Sequence, residues 1–366
     1  MTSKSIAFLL ENANPSIKKR VKSEILGEES AKYEELIMSE DTIKGIIAAQ
    51  NPDGWIGDNY SNHGIYKGHS CALHHLTEKA VDKDTPVMRK AMEALVSTPI
   101  ADQRYGKGWD FDEYKHPGMG AGLTHSAHIA AAGFENMYDI SRHVQLSFES
   151  VKRITEIDSV FDILHPTKRR GWVLNDYEKW PCTVHFKILA HTHSWRNEKN
   201  IKTIAEAVNQ MMRTDNPKLV SFIPGSRVGC FGGGFPAQGL TVKGSGLYPS
   251  PIMCPVGSDG KDHNGKYHFE HIETFARCGI IPHVPELKKV VEEIADSFDS
   301  DGICRLENVC ERLFKTGKYY GMQLETDWRR KIRKECDTTF RALLILHYYF
   351  LTSGTATSTL YNPLPA

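Results

Sequence analysis

Apolar and charged residues sort into two kinds of helical pattern along this chain. Five segments, 41–50, 86–96, 142–157, 201–213 and 285–298, carry apolar residues three to four apart with charges on the opposite side. Each predicts an amphipathic helix with one wet face, and Pro86 and Pro285 stand in first turns, where proline is tolerated. These are the expected outer helices. Five others, 66–76, 123–134, 182–193, 267–278 and 336–350, hold fewer charges and more small, aromatic and histidine residues, which predicts inner helices covered on most sides. Gly-Trp pairs at Gly54-Trp55, Gly108-Trp109 and Gly171-Trp172 stand between an outer and an inner helix, with fainter forms at Gly233-Gly234-Phe235 and Asp301-Gly302-Ile303. The repeating unit is therefore a helical hairpin turned by Gly-Trp. Strand-type alternation is weak throughout, and the Gly- and Pro-rich segment 224–265 reads as an irregular, lid-like loop over one end. The expectation is one all-α domain spanning 1–366.

Composition narrows the partners. Among 366 residues, 45 basic and 45 acidic side chains cancel, and neither sign forms a long block, which argues against a nucleic-acid or anionic-membrane surface. The longest apolar run, 342–351, is broken by His347 and falls far short of a membrane span. The opening segment meets Glu11 too soon for a secretory signal, so a cytoplasmic protein with a small-molecule substrate is expected. Eight cysteines without a CxxC predict free thiols rather than a disulfide framework.

Seventeen histidines are unusual, and their places matter more than their number. If each turn leads from an outer to an inner helix, the inner helices run parallel and their first turns gather at one mouth. Those turns would bring together Tyr66, Lys67 and His69, then His125 and His128, Cys182 and His185, His268 and His271, and Asp337 with Arg341. Pairs three apart share a helix face. Imidazoles and a thiol gathered in this way suit acid/base chemistry or metal ligation. Taken singly, each histidine is equally a buried, hydrogen-bonded core residue. The acidic turn Trp109-Asp110-Phe111-Asp112-Glu113 offers carboxyls that either protonate a substrate or simply cap a helix. The glycine-rich stretch 229–236 has neither the preceding strand nor the following Lys-Ser/Thr of a phosphate loop. Patterns for serine hydrolases, zinc proteases, dinucleotide binding and EF-hands are lacking. His191 and His193, two apart, splay around a helix and read as structural.

The opening Leu10-Glu11-Asn12-Ala13-Asn14-Pro15-Ser16-Ile17-Lys18-Lys19-Arg20-Val21, with Gln50-Asn51-Pro52-Asp53-Gly54-Trp55, resembles bacterial terpenoid-cyclase-like proteins of the prenyltransferase and squalene-cyclase repeat superfamily. The resemblance implies an α/α toroid, with inner helices around a central cavity and outer helices jacketing them. It further implies a lyase, isomerase or cyclase doing cofactor-independent acid/base chemistry on a mostly apolar small molecule. Asp112 is similar to the middle acid of the cyclases' Asp-x-Asp-Asp element, although Glu113 replaces its last residue. Tyr66-Lys67-Gly68-His69 is similar to a motif of the linalool dehydratase-isomerases, in which Cys182 would have a counterpart. In the protein prenyltransferases a zinc is held by an Asp-x-Cys and a His; Cys182 and His268 occupy similar places, but Trp180 stands where the Asp would be, so no cofactor is expected unless His185, Asp262 or His271 completes a zinc site with them. The expected catalytic residues are Cys182, His185, His69, His125 and Asp112. Tyr66, Lys67, Trp109, Asp110, His128, His268, His271 and Arg341 are expected to meet substrate. Two alternatives stand beside this one: a carbohydrate-active α/α-barrel lyase or hydrolase using Asp110 or Asp112 with Glu270, and a helical-repeat scaffold that binds without turnover.

Overall fold

A computed structural model describes residues 2–60, 64–97, 99–100, 121–157, 162, 164–167, 171–174, 181, 183–212, 267–309 and 321–353. The described chain is mostly helical: α1 (Thr2–Asn12), α2 (Pro15–Arg20), α3 (Glu34–Met38), α4 (Asp41–Ala48), α5 (His69–Glu78), α6 (Pro86–Val96), α7 (Ala121–Ala131), α8 (Ser141–Lys152), α9 (Thr183–His191), α10 (Glu198–Met212), α11 (Phe269–Cys278), α12 (Pro285–Asp296) and α13 (Lys331–Ser353). All ten helices expected from the periodicity are present within a few residues of their predicted ends. Two strands, β1 (Leu164–Thr167) and β2 (Gly171–Leu174), pair antiparallel with Leu164 opposite Leu174 and Thr167 opposite Gly171. The third Gly-Trp pair thus opens a strand instead of turning a helical hairpin. Its neighbours Val173 and Leu174 extend an aromatic and β-branched run that favours extended backbone. Segment 224–265 and the second Gly-Trp pair lie outside the described residues.

The chain divides into two compact units, Met1–Leu95 with Lys288–Ala366, and Val96–Leu287. In the first, Asn14 caps α2 by accepting the Ile17 N–H at 2.9 Å, and Pro15 fills the first helical position. A π-helical turn, Val21–Ile25, follows directly. Leu9, Ala13, Ile17, Val21 and Ile25, each four residues from the next, form one apolar ridge. It packs with Leu324 and with Cys336, Phe340, Leu343 and Leu344 of α13. Helix α13 starts at Lys331, five residues before the predicted start, so Asp337 and Arg341 lie in its second and third turns. Its polar opening, Lys331-Ile332-Arg333-Lys334-Glu335, carries no inner-helix pattern.

Two turns of this unit repeat each other bond for bond. Asn51 N donates to Trp55 O at 2.7 Å and Gly54 N to Asn51 O at 2.9 Å; Asp299 N donates to Ile303 O and Gly302 N to Asp299 O, both at 3.0 Å. Gly57 N reaches Ala49 O at 2.9 Å as Arg305 N reaches Ser297 O at 2.8 Å, and bridges join Gln50 to Ile56 and Phe298 to Cys304. The next N–H turns to the following inner helix in both. Ile56 N donates to His69 Nδ1 at 2.9 Å, and Cys304 N to Thr339 Oγ1 at 3.0 Å. Both glycines have positive φ, +88° and +78°. A Cβ at Gly54 would strike the Lys90 carbonyl of α6, and one at Gly302 would lie 2.5 Å from Ser5 N of α1. Helix α1 therefore holds beside the last turn the place that α6 holds beside the first.

Gly302→Ala is expected to cost about 3 kcal/mol, the sum of left-handed strain and a backbone collision. Gly27 has a similar φ of +65° with open space around it, so Gly27→Ala should cost only about 1 kcal/mol. Urea midpoints of the two variants would separate strain from close approach; equal losses would show that α1 does not rest on the turn.

Candidate active site

In the second unit, α9 packs against α7, α8 and α11. His125 and His128 of α7, His143 of α8, His185 in the first turn of α9, and His268 and His271 at the start of α11 are all buried. Because α7 begins at Ala121, His125 and His128 stand in its second turn and just beyond it, not in its first. His268 caps α11, and its ring lies 4.0 Å from that of His271 at a tilt of 33°. Burial, and then the neighbouring His268, hold His271 well below the ordinary imidazole range, so it is neutral at physiological pH. Its Nδ1 makes no hydrogen bond among the described residues. Tyr267, Phe269 and Ile272 around it are buried. The result is a buried, neutral imidazole beside a second imidazole.

His185 lies in the first turn of α9. Its neighbour Phe186 meets Phe275 edge to face at 5.5 Å, and the Cys278 thiol donates to the Phe186 carbonyl at 3.8 Å. The first turn of α9 thus lies beside the last turn of α11, whose Phe275 and Cys278 supply the apolar surface that Phe186 covers. Along α11, His271 is four residues and His268 seven residues back from Phe275, about 6 and 10 Å at helical rise. His143, on a helix predicted to be outer, was missed in the sequence because nothing marks it there. Its Nδ1 lies 3.0 Å from the Ser126 hydroxyl and ties α8 to α7.

In the first unit, His69 opens α5 and stacks on Trp55 at 4.0 Å and 13°. Its Nδ1 accepts from Ile56 N, so Nε2 carries the hydrogen and donates to the Ala91 carbonyl at 3.0 Å. With both nitrogens engaged by backbone, His69 works as a tie between the Gly-Trp turn and α6. Tyr66 and Lys67 are exposed, the Tyr66 ring lying across Gly45 of α4. Arg341 is fully buried and donates to Glu78 Oε2 at 2.5 Å and to the Met322 carbonyl at 2.8 Å. Burial opposes the charge on Glu78, but Arg341, Arg20 and His74 outweigh it and hold the carboxyl well below its usual range. Arg20 completes this network, reaching Glu78 at 3.0 Å and Glu24 at 2.5 Å. Arg341 stood out in the sequence but its carboxylate partner did not, because Glu78 lies 263 residues away.

Cys182, Trp109, Asp110 and Asp112 lie outside the described residues. Cys71, Cys278, Cys304 and Cys336 are buried thiols in no disulfide. Burial pushes the Cys278 and Cys336 thiols up to about 12, which makes them inert as nucleophiles. Among the described residues, no group of three His, Cys, Asp or Glu side chains could hold a metal ion, and no helix is long and apolar enough to cross a membrane.

No family model, curated protein or solved structure matches this chain.

Proposed function

We propose that this chain is an acid/base enzyme of the α/α-toroid type, a lyase, isomerase or cyclase acting without a cofactor on a mostly apolar small molecule. The observation that carries the reading is the neutral, buried His271 against His268. An imidazole held this far below neutrality is a feeble base in water. It suffices where the proton to be removed lies next to a carbocation, which is the demand of alkene isomerisation or dehydration. His268 is the group through which the proton would pass outward. The toroid draws its support from the two matching turns and from α1 standing to the last as α6 stands to the first, the relation that a closed ring of hairpins requires.

A non-catalytic scaffold is the second reading, favoured by His69 and His143, whose rings hold neighbouring elements together. Deuterium uptake separates the two. Protein incubated in D2O with a panel of allylic alcohols and alkenes is expected to place deuterium on carbon, detected by gas chromatography with mass detection. His271→Leu, which deletes only an acceptor with no hydrogen bond, should fold normally and lower that exchange by about 100-fold. Exchange unchanged in His271→Leu, or none with the wild-type chain across the panel, would leave the scaffold.

A further inference from the structure

The segment Met322–Glu325 of the first unit is gripped by residues far apart in sequence. Leu324 N and Glu325 N each donate to Asp337 of α13 at 3.0 Å, and Trp328 Nε1 donates to the same carboxylate at 2.6 Å. The Leu324 carbonyl accepts from Asn14 Nδ2 at 2.5 Å and from Lys79 Nζ, and the Met322 carbonyl accepts from Arg341. The Glu325 carboxyl receives Asn14 N at 2.7 Å through Oε1 and Arg333 at 3.3 Å through Oε2.

Two buried carboxyls thus share one interior, Asp337 with three N–H donors and Glu325 with one N–H donor and one guanidinium. The cations facing them are largely committed elsewhere. Lys79 pairs with Glu40 at 2.8 Å, Arg341 pairs with Glu78, and Arg333 also serves the Asn12 carbonyl at 2.8 Å. Cys336, the remaining titratable neighbour on α13, carries no charge. Two adjacent buried carboxyls with so little free positive charge do not both ionise cheaply, and the one with fewer donors keeps a proton longer.

We propose that Glu325 is a proton-operated latch, closing Met322–Glu325 onto α2 and α13 when protonated and loosening that segment when ionised. Burial pushes the Glu325 carboxyl up to about 7; the Asn14 N–H pulls it down, the Asp337 charge adds to the rise, and Arg333 and Lys79 oppose it. Burial raises Asp337 as well, against the pull of Trp328 and the two backbone N–H groups. The sign follows from linkage. A carboxyl raised above its unfolded value contributes stability in full below about pH 4.5 and loses it as pH climbs through about 7.

Amide hydrogen exchange, corrected for the intrinsic pH dependence, reads the latch directly. The opening constants of the Leu324 and Glu325 amides should rise by up to tenfold per pH unit between about pH 4.5 and 7, the slope for release of one proton, and level off above neutrality. Glu325→Gln, a neutral near-isostere, should stay protected across the same range. Arg333→Met removes the facing guanidinium and should move the transition to higher pH. A wild-type profile with no rise, the same rise in Glu325→Gln, or an unmoved transition in Arg333→Met would each overturn the proposal.

Discussion

Arg341→Met is expected to lower the stability of the protein by about 3 kcal/mol, the low end of the loss when a buried ion pair is broken. The substitution removes the donor to Glu78 and to the Met322 carbonyl. Arg20 remains 3.0 Å from Glu78, which limits the loss. The double variant Arg341→Met with Glu78→Gln should regain about half of it, because a neutral pair of similar volume has no charge left to desolvate. Urea midpoints around this four-protein cycle measure the coupling. Acid should reveal the same pair. The Glu78 carboxyl is depressed in the fold, so its contribution is present above the unfolded value of 4.5 and fades as pH falls through the folded one. Wild-type stability should therefore drop in acid more steeply than that of the double variant. A single variant within about 0.5 kcal/mol of wild type would return Arg341 to the substrate-facing role that its place on an inner helix predicts.

His69→Leu is expected to cost roughly 2–4 kcal/mol, since it strands the buried Ile56 N–H and the Ala91 carbonyl together. Thr339→Val, at the matching place after the last turn, strands only the Cys304 N–H and should cost about half as much. Turnover of the folded fraction should be unchanged in both. If His69→Leu folds as well as wild type but loses turnover, the tie described for its ring is wrong and His69 rejoins the catalytic candidates.

The helices were legible because each has one apolar face, and periodicity reports faces. Helices α4 and α6 start where predicted, at Asp41 and Pro86. The start of α13 was hidden because four charges in the five residues from Lys331 cover a half-buried turn. The histidines of the inner helices were also legible, as polar residues on helices otherwise short of charge, and His69, His125, His128, His185, His268 and His271 are buried. Their partners were not. His69 is held by the Ile56 amide and the Ala91 carbonyl, and backbone groups leave no trace in side-chain spelling. The Arg341–Glu78 pair joins residues 263 apart, and Glu325 meets Asn14 across 311. Proximity of that kind belongs to tertiary packing alone.

The seat of α1 beside Gly302 imposes an order on biosynthesis. Lys4 Nζ bonds the Ser300 carbonyl, 296 residues further on, at 2.7 Å. At ribosomal speeds of about 5–20 residues per second, α1 emerges on the order of 15–60 s before its seat exists. Through that interval Leu9 and Ala13 must be shielded by something other than the Phe340 and Leu344 that finally cover them. Helix α1 is thus made about 300 residues before the seat that receives it.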